Sequence, residues 1–257
     1  AGHINPGLAI ANKIKEEEPN SEIIFIGTTR GLENDLVPRA GYKLKTIEAY
    51  GLSKQISIAN FKKICATLKA TGKARKIIQE FKPDIIVGAG GYICGPVVWA
   101  ASKEKIPVVL HESNAFPGKA VKVLAKKANT VLISFEEARS RIPNAKNIVF
   151  TGTPVKIEKK DYTKEQKLKI LKNGELKENL PIVLVFGGSQ GAQKINEAVI
   201  GILENKLNID YQIIWATGPK QYNIIKQELA TKKIDINNIE NAKILPYIYN
   251  MEEIMNI

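Results

Sequence analysis

The chain has only two cysteines, Cys65 and Cys94, and two histidines, His3 and His111, in 257 residues. Two isolated thiols build no disulfide framework and match no zinc-ligand spacing, so the sequence points to a reducing, cytoplasmic setting. No apolar run approaches the ~20 residues that span a bilayer, and none has the build of a signal peptide. Acidic side chains are outnumbered by basic ones, 26 against 38, which leaves a net charge of +12. That surplus calls for an anionic partner: nucleic acid, anionic lipid or a phosphorylated substrate. Aromatic residues are 7% of the chain and scarce where cations are densest. A nucleic-acid module would need stacking platforms there, so nucleic acid is not the expected partner. There is no Asp-x-Asp pair to hold a metal-bound sugar nucleotide, no Walker A loop and no paired C-x-x-C. Neither a metal nor an organic cofactor is therefore expected.

What is present alternates. Short β-branched runs at 22–26, 43–47, 84–87, 107–110, 130–133 and 147–150 are separated by helical patterns at 7–18, 58–81, 95–103, 119–126 and 135–142. This is the signature of an α/β protein with a parallel sheet wound on both faces. From 156 to 179 lysine and glutamate dominate, which reads as a linker and an exposed helix. A second series then begins, with strands at 182–186, 211–216 and 242–245 and helices at 192–204 and 219–232. The expected organisation is a first domain over residues 1–157 and a second over 158–257. Three strands are few for a doubly wound domain, so the second is expected to be incomplete, and a strand ahead of the opening Ala1-Gly2-His3 is expected to be missing.

Glycine turns at strand ends carry the chemistry. Gly187-Gly188-Ser189-Gln190-Gly191 follows the strand 182–186 and opens a helix. Such a turn offers backbone N–H groups and a positive helix end to a phosphate. Gly88-Ala89-Gly90-Gly91 follows the strand 84–87, and Pro96 is well placed at the start of the next helix. Cys94 beside it has no sequence-adjacent base and reads as a packed residue. His111-Glu112-Ser113-Asn114 closes the strand 107–110, where ligands bind in open α/β sheets. Ala1-Gly2-His3-Ile4-Asn5-Pro6-Gly7 reads as a fourth turn entering a helix.

Read in order, A-G-H-I-N-P-G, G-A-G-G-Y-I-C-G-P, H-E-S-N, T-G-T-P-V and F-G-G-S-Q-G-A closely resemble the MurG family of glycosyltransferases, from Ala1 to about Asn250. The resemblance implies the GT-B fold, two Rossmann-like doubly wound domains facing a cleft, with the acceptor mainly on the first and the donor on the second. It implies inverting transfer of N-acetylglucosamine from UDP-N-acetylglucosamine (UDP-GlcNAc) to undecaprenyl-diphosphate-linked N-acetylmuramoyl-pentapeptide (lipid I), in peptidoglycan synthesis. Donor contacts carried over are Ala1, Gly2, Asn114, Ser189 and Ile248, with Lys156 where the family usually has arginine. Lysine keeps that charge but not the bidentate fork. The acceptor diphosphate is implied at Ala1-Gly2 and at 88–91. The family's Arg-Ala-Gly donor turn is expected beyond Ile257. His3 is the first candidate for the general base, because imidazole exchanges protons near neutral pH, and Glu112 is the second. Rival readings are another GT-B lipid glycosyltransferase or a sugar-nucleotide epimerase.

The segment 51–82 holds eight cations, among them Lys62, Lys63, Lys69 and Lys73, against the single acid Glu80. Ile56, Phe61 and other apolar residues interleave with them. An apolar stripe flanked by lysines suits an anionic bilayer, and the family resemblance implies peripheral docking on the cytoplasmic face of the bacterial plasma membrane. The same stripe could equally pack on the sheet and leave its lysines in water.

Overall fold

A computed structural model describes residues 2–50, 58–155, 160–173, 175–188, 191–236 and 238–257; in α3 side chains are described from 66 onward. The chain divides into two compact units, Ala1–Lys156 and Ile157–Ile257.

In the first unit the element order is α1 (Ile4–Glu17), β1 (Ile24–Gly27), α2 (Glu33–Arg39), β2 (Lys43–Thr46), α3 (Ile58–Phe81), β3 (Ile86–Gly88), α4 (Cys94–Lys103), β4 (Val108–Glu112), α5 (Lys119–Leu124), β5 (Thr130–Ile133) and β6 (Ile148–Phe150). α5 runs into a 3-10 turn at Ala125–Lys127, and a second 3-10 turn, Glu136–Arg141, replaces the helix expected at 135–142. Every strand pair is parallel: β1 with β2, and β3-β4-β5-β6 in order. One core serves both sheets. Ala70, Ala74, Ile77 and Ile78 of α3 and Val97, Val98, Ala100 and Ala101 of α4 pack with Val108, Leu110, Val131 and Ile133, and Ile24, Ile26 and Ile86 border the same cluster. α3 and α4 are pinned at their polar margin, where Glu104 accepts from Arg75 Nε at 2.5 Å and Gln79 Nε2 at 3.1 Å.

Two departures from the sequence pattern have local causes. α1 starts three residues before the expected point, since Pro6 lies in the first turn, where its missing N–H breaks no intrahelical bond. α2 is absent from the sequence reading because it has seven residues and includes Pro38. Its signal was electrostatic: Glu33 and Asp35 sit in the first turn and Arg39 in the last, each matching the helix dipole.

The second unit has α6 (Lys164–Asn173), β7 (Ile182–Phe186), α7 (Gln193–Glu204), β8 (Gln212–Ala216), α8 (Pro219–Thr231), β9 (Ala242–Leu245) and α9 (Met251–Met255), with β7-β8-β9 parallel. All five residues of β8 are buried. Its side chains alternate between two cores. Ile213 and Trp215 join Val199, Ile200 and Leu203 of α7 and Ile225 and Leu229 of α8. Ile214 and Ala216 join Ile248, with Leu184, Leu245, Met251 and Ile254 around them. Covering on both faces is what makes the sheet doubly wound.

Candidate functional site

In the first unit the polar residues gather where β3 and β4 end. His3 immediately precedes α1, and its Nδ1 lies 3.1 Å from the Ala89 carbonyl. A carbonyl only accepts, so Nδ1 carries a proton, and in the neutral ring Nε2 keeps its lone pair. The turn beneath needs glycine: Gly90 has φ +109° and Gly91 φ +77°. A Cβ on Gly90 would stand 2.5 Å from His3 Nδ1, and one on Gly88 would stand 2.7 Å from Leu110 Cδ2. The imidazole thus rests directly on the glycine backbone. Cys94 donates from Sγ to the Gly90 carbonyl at 2.9 Å, and burial pushes its thiol up to about 11, so it is an inert prop.

His111 and Glu112 form the last two positions of β4, and both are buried. Glu112 Oε1 accepts from Asn114 N (2.9 Å) and Nδ2 (2.7 Å), and Oε2 accepts from Gly118 N (2.8 Å). With three N–H groups on its two oxygens, this carboxylate ties down the 113–118 loop. Asn114, held by the same carboxylate, remains exposed at the loop surface. His111 Nδ1 lies 3.3 Å from Ser113 Oγ and its Nε2 3.2 Å from Ser134 Oγ, and Ser134 donates to the Gly152 carbonyl at 3.3 Å. Burial holds the His111 pKa below the usual imidazole value, against a backbone hydrogen bond at Gly152 and the charge of Glu112; the charge of His3 adds to the depression. The last effect also means that the two histidines share one neighbourhood.

Sequence reasoning picked out T-G-T-P-V, whose Gly152 has φ +73°, but not Ser134, and elsewhere in the unit it passed over Arg30. The Arg30 guanidinium stacks 4.3 Å from the Tyr50 ring centroid, and its Nη2 donates to Ala49 O at 3.1 Å. Gly-Thr-Thr-Arg-Gly after an apolar run was the available signal.

In the second unit glycines with left-handed backbone flank the end of β7 and the approach to α7. Gly188 and Gly191 have φ of +76° and +75°, and Gly191 N donates to Gly188 O at 3.0 Å. A Cβ on Gly187 would meet Ala192 N at 2.5 Å, and one on Gly191 would meet the Thr217 carbonyl at 2.4 Å. α7 opens behind this turn with no acidic side chain in its first turn, leaving its positive end uncompensated. Asn196 ties the neighbouring turn down, donating to Thr217 O at 3.3 Å and accepting from Trp215 Nε1 at 3.1 Å. The Thr217-Gly218-Pro219 turn, with Gly218 at φ +88°, is a second strand-to-helix turn beside the first. Strand-Thr-Gly-Pro was its readable signal. Ile248 is buried, so its side chain belongs to the core and only its backbone is left for a ligand. Gly2 is exposed; Ala1, Lys156, Ser189 and Gln190 lie outside the described residues.

Ile56 likewise lies outside them, as do the side chains of Phe61, Lys62 and Lys63. Lys69 and Lys73 are exposed, and Leu68 is 68% exposed beside them. Further along α3, Ala70, Ala74, Ile77 and Ile78 face the core. That part of α3 is therefore packing, and the lysines between these residues are solvated. Among the described residues no helix is long and apolar enough to cross a membrane.

Two parallel α/β units, each carrying glycine turns at strand carboxyl ends, define the class of doubly wound α/β proteins, in which ligands bind beyond those strand ends. Residues 1–133 match the glycosyltransferase family 28 N-terminal domain and 182–257 its C-terminal domain. A UDP-N-acetylglucosamine--N-acetylmuramyl-(pentapeptide) pyrophosphoryl-undecaprenol N-acetylglucosamine transferase from Acetivibrio thermocellus is 43% identical over 99% of this chain and 67% of its own length. The Clostridioides difficile protein of the same name is 40% identical over 97% of this chain and 60% of its own. Acinetobacter baumannii MurG superposes with a TM-score of 0.55 at 27% identity, over 97% of this chain and 64% of that one. A Staphylococcus aureus MnaA–UDP structure, at 12% identity and a TM-score of 0.60 over 100% of this chain and 68% of that one, shares the fold. The chain belongs to the MurG family of these transferases. It spans about two thirds of the length of the curated relatives it matches.

Proposed function

We propose that the full-length protein is an inverting glycosyltransferase that moves N-acetylglucosamine from UDP-GlcNAc to lipid I. Family membership supports the reaction, and the observation that carries the assignment of the base is the His3–Ala89 hydrogen bond. With Nδ1–H tied to a carbonyl, Nε2 is the one ring nitrogen able to take a proton. The muramoyl C4 hydroxyl attacks the anomeric carbon, its proton passes to His3 Nε2, and the bond from that carbon to the UDP oxygen breaks with inversion. The negative charge left on the diphosphate falls to the N–H groups of the glycine turn at 187–191 and the opening of α7. Ser189 and Lys156 are assigned to the same diphosphate by family position, as are Ala1, Gly2 and Asn114 to the donor. The turn at 88–91 is assigned to the acceptor diphosphate. Peripheral attachment to the cytoplasmic face of the plasma membrane brings the enzyme to its lipid acceptor, with the start of α3 as the contact.

The test is steady-state kinetics on the full-length protein. His3→Ala is expected to lower kcat by about 10²-fold or more while the donor KM stays nearly constant. A change confined to the donor KM would make His3 a binding residue and return the search for the base to other groups.

A further inference from the structure

The hydrogen bonds around His111 have a direction. Ser134 is buried, and its single hydroxyl hydrogen goes to the Gly152 carbonyl, which can only accept. Ser134 Oγ therefore offers His111 Nε2 a lone pair, and Nε2 carries a proton. Burial disfavours the charged ring, and in the neutral ring with its proton on Nε2, Nδ1 is an acceptor. The Ser113 hydroxyl at 3.3 Å must then donate to Nδ1. Three hydrogen bonds run one way: Ser113 to His111, His111 to Ser134, Ser134 to Gly152. Ser113 has thus turned its only hydrogen inward, and the hydroxyl of this half-buried residue has nothing but lone pairs left for whatever approaches it. It sits between His111 and the exposed Asn114, in the loop that Glu112 closes.

An outward-facing acceptor cannot serve a diphosphate, whose oxygens are acceptors themselves. A sugar hydroxyl can donate to it. We propose that Ser113 is a specificity residue of the transferase, accepting a hydrogen bond from a sugar hydroxyl of one of the two substrates, and that His111 is the positioning residue that fixes this polarity. The inference rests on the transferase reading above. It divides the labour at this sheet edge: N–H groups of the glycine turn serve phosphate, and Ser113 selects the sugar.

The experiment uses the full-length enzyme with UDP-GlcNAc, a lipid I analogue, and versions of each in which single sugar hydroxyls are replaced by fluorine. Fluorine accepts weakly but does not donate. Ser113→Ala is expected to raise the KM of one sugar substrate by about 3- to 10-fold, the range of a neutral hydrogen bond, with kcat little changed. Which KM rises says whether the hydroxyl belongs to donor or acceptor. One fluorinated version of that substrate should lose the same factor with wild type and nothing further with Ser113→Ala. His111→Phe, which removes the acceptor for Ser113, should bring the hydroxyl-to-fluorine preference towards one. His111→Asn, whose amide oxygen reaches the Nδ1 position, should restore it, and a purely structural role for His111 would not produce that rescue. Both KM values within twofold of wild type in Ser113→Ala, or a fluorinated substrate bound as well as its parent at every position, would overturn the proposal. A wild-type enzyme that transfers nothing from UDP-GlcNAc would instead overturn the transferase reading.

Discussion

Burial of His111 links its protonation to the stability of the fold. The folded state disfavours the imidazolium because the ring is out of water, and the neighbouring His3 charge adds to this. The unfolded chain takes up the proton with ordinary affinity as pH falls through about 6.5, the unperturbed value for histidine. Folded protein does not follow until a lower pH. Between those two points the unfolded state binds more protons, so stability falls as the medium is acidified and recovers as pH rises. Urea unfolding at pH 7.5 and at pH 5.5 should therefore show a lower midpoint at the acid value. His111→Gln should shrink that difference even if it is less stable at both. A difference of the same size in His111→Gln would assign the pH dependence to other groups. None of this was legible from the bare motif: His-Glu-Ser-Asn marked a functional loop, but which carboxylate or imidazole is already satisfied depends on Gly118, Ser134 and Gly152, which approach only on folding.

At the scale of helices and strands the pattern was most readable where a short apolar run stands between turn residues. β5, β7 and β9 fall where their apolar runs place them, and α3 fills its expected 58–81 span. The short elements were less readable, because α2 and the 3-10 turn Glu136–Arg141 are set by packing and end charges more than by period. Helix ends show a different local compromise. α7 and α8 both finish on a lysine in the left-handed region, Lys206 at φ +51° and Lys233 at φ +61°, where glycine is the usual residue. Ile234 N reaches back to Leu229 O at 2.9 Å and Leu207 N to Ile202 O at 3.0 Å, which is the hydrogen-bonding of a left-handed helix stop. A non-glycine residue there costs roughly 1–2 kcal/mol, partly offset by the greater freedom glycine gives the unfolded chain. Both side chains are exposed, so replacing them removes no core contact. Lys206→Gly and Lys233→Gly are each expected to stabilise the protein by about 0.5–1 kcal/mol, read as a higher denaturant midpoint at unchanged slope. A fall in the midpoint would mean that these lysine stems contribute packing that outweighs the strain.

For the molecule as a whole, the surplus of twelve positive charges has to be matched to a partner. α3 divides into two parts: its C-terminal half buries Ala70, Ala74, Ile77 and Ile78 in the core, while Leu68, Lys69 and Lys73 stand in solvent. The membrane face we propose is the first part, where the basic residues 62, 63 and 69 cluster, with 73 one turn further on. A lysine near an anionic bilayer contributes ~1 kcal/mol and acts only within about a Debye length, ~10 Å at 0.1 M salt and ~3 Å at 1 M. The protein should therefore float with liposomes containing anionic lipid, stay behind with purely zwitterionic ones, and detach as salt is raised. Changing Lys62, Lys63, Lys69 and Lys73 together to Gln should remove most of the binding, while turnover on a soluble acceptor analogue survives. Salt sensitivity alone would also fit a nucleic-acid surface, so duplex DNA is added in excess as a competitor. Undiminished liposome binding in its presence assigns the surface to lipid. Displacement by DNA, or equal flotation with zwitterionic and anionic vesicles, would refute the assignment and leave these lysines as a solvated helix face.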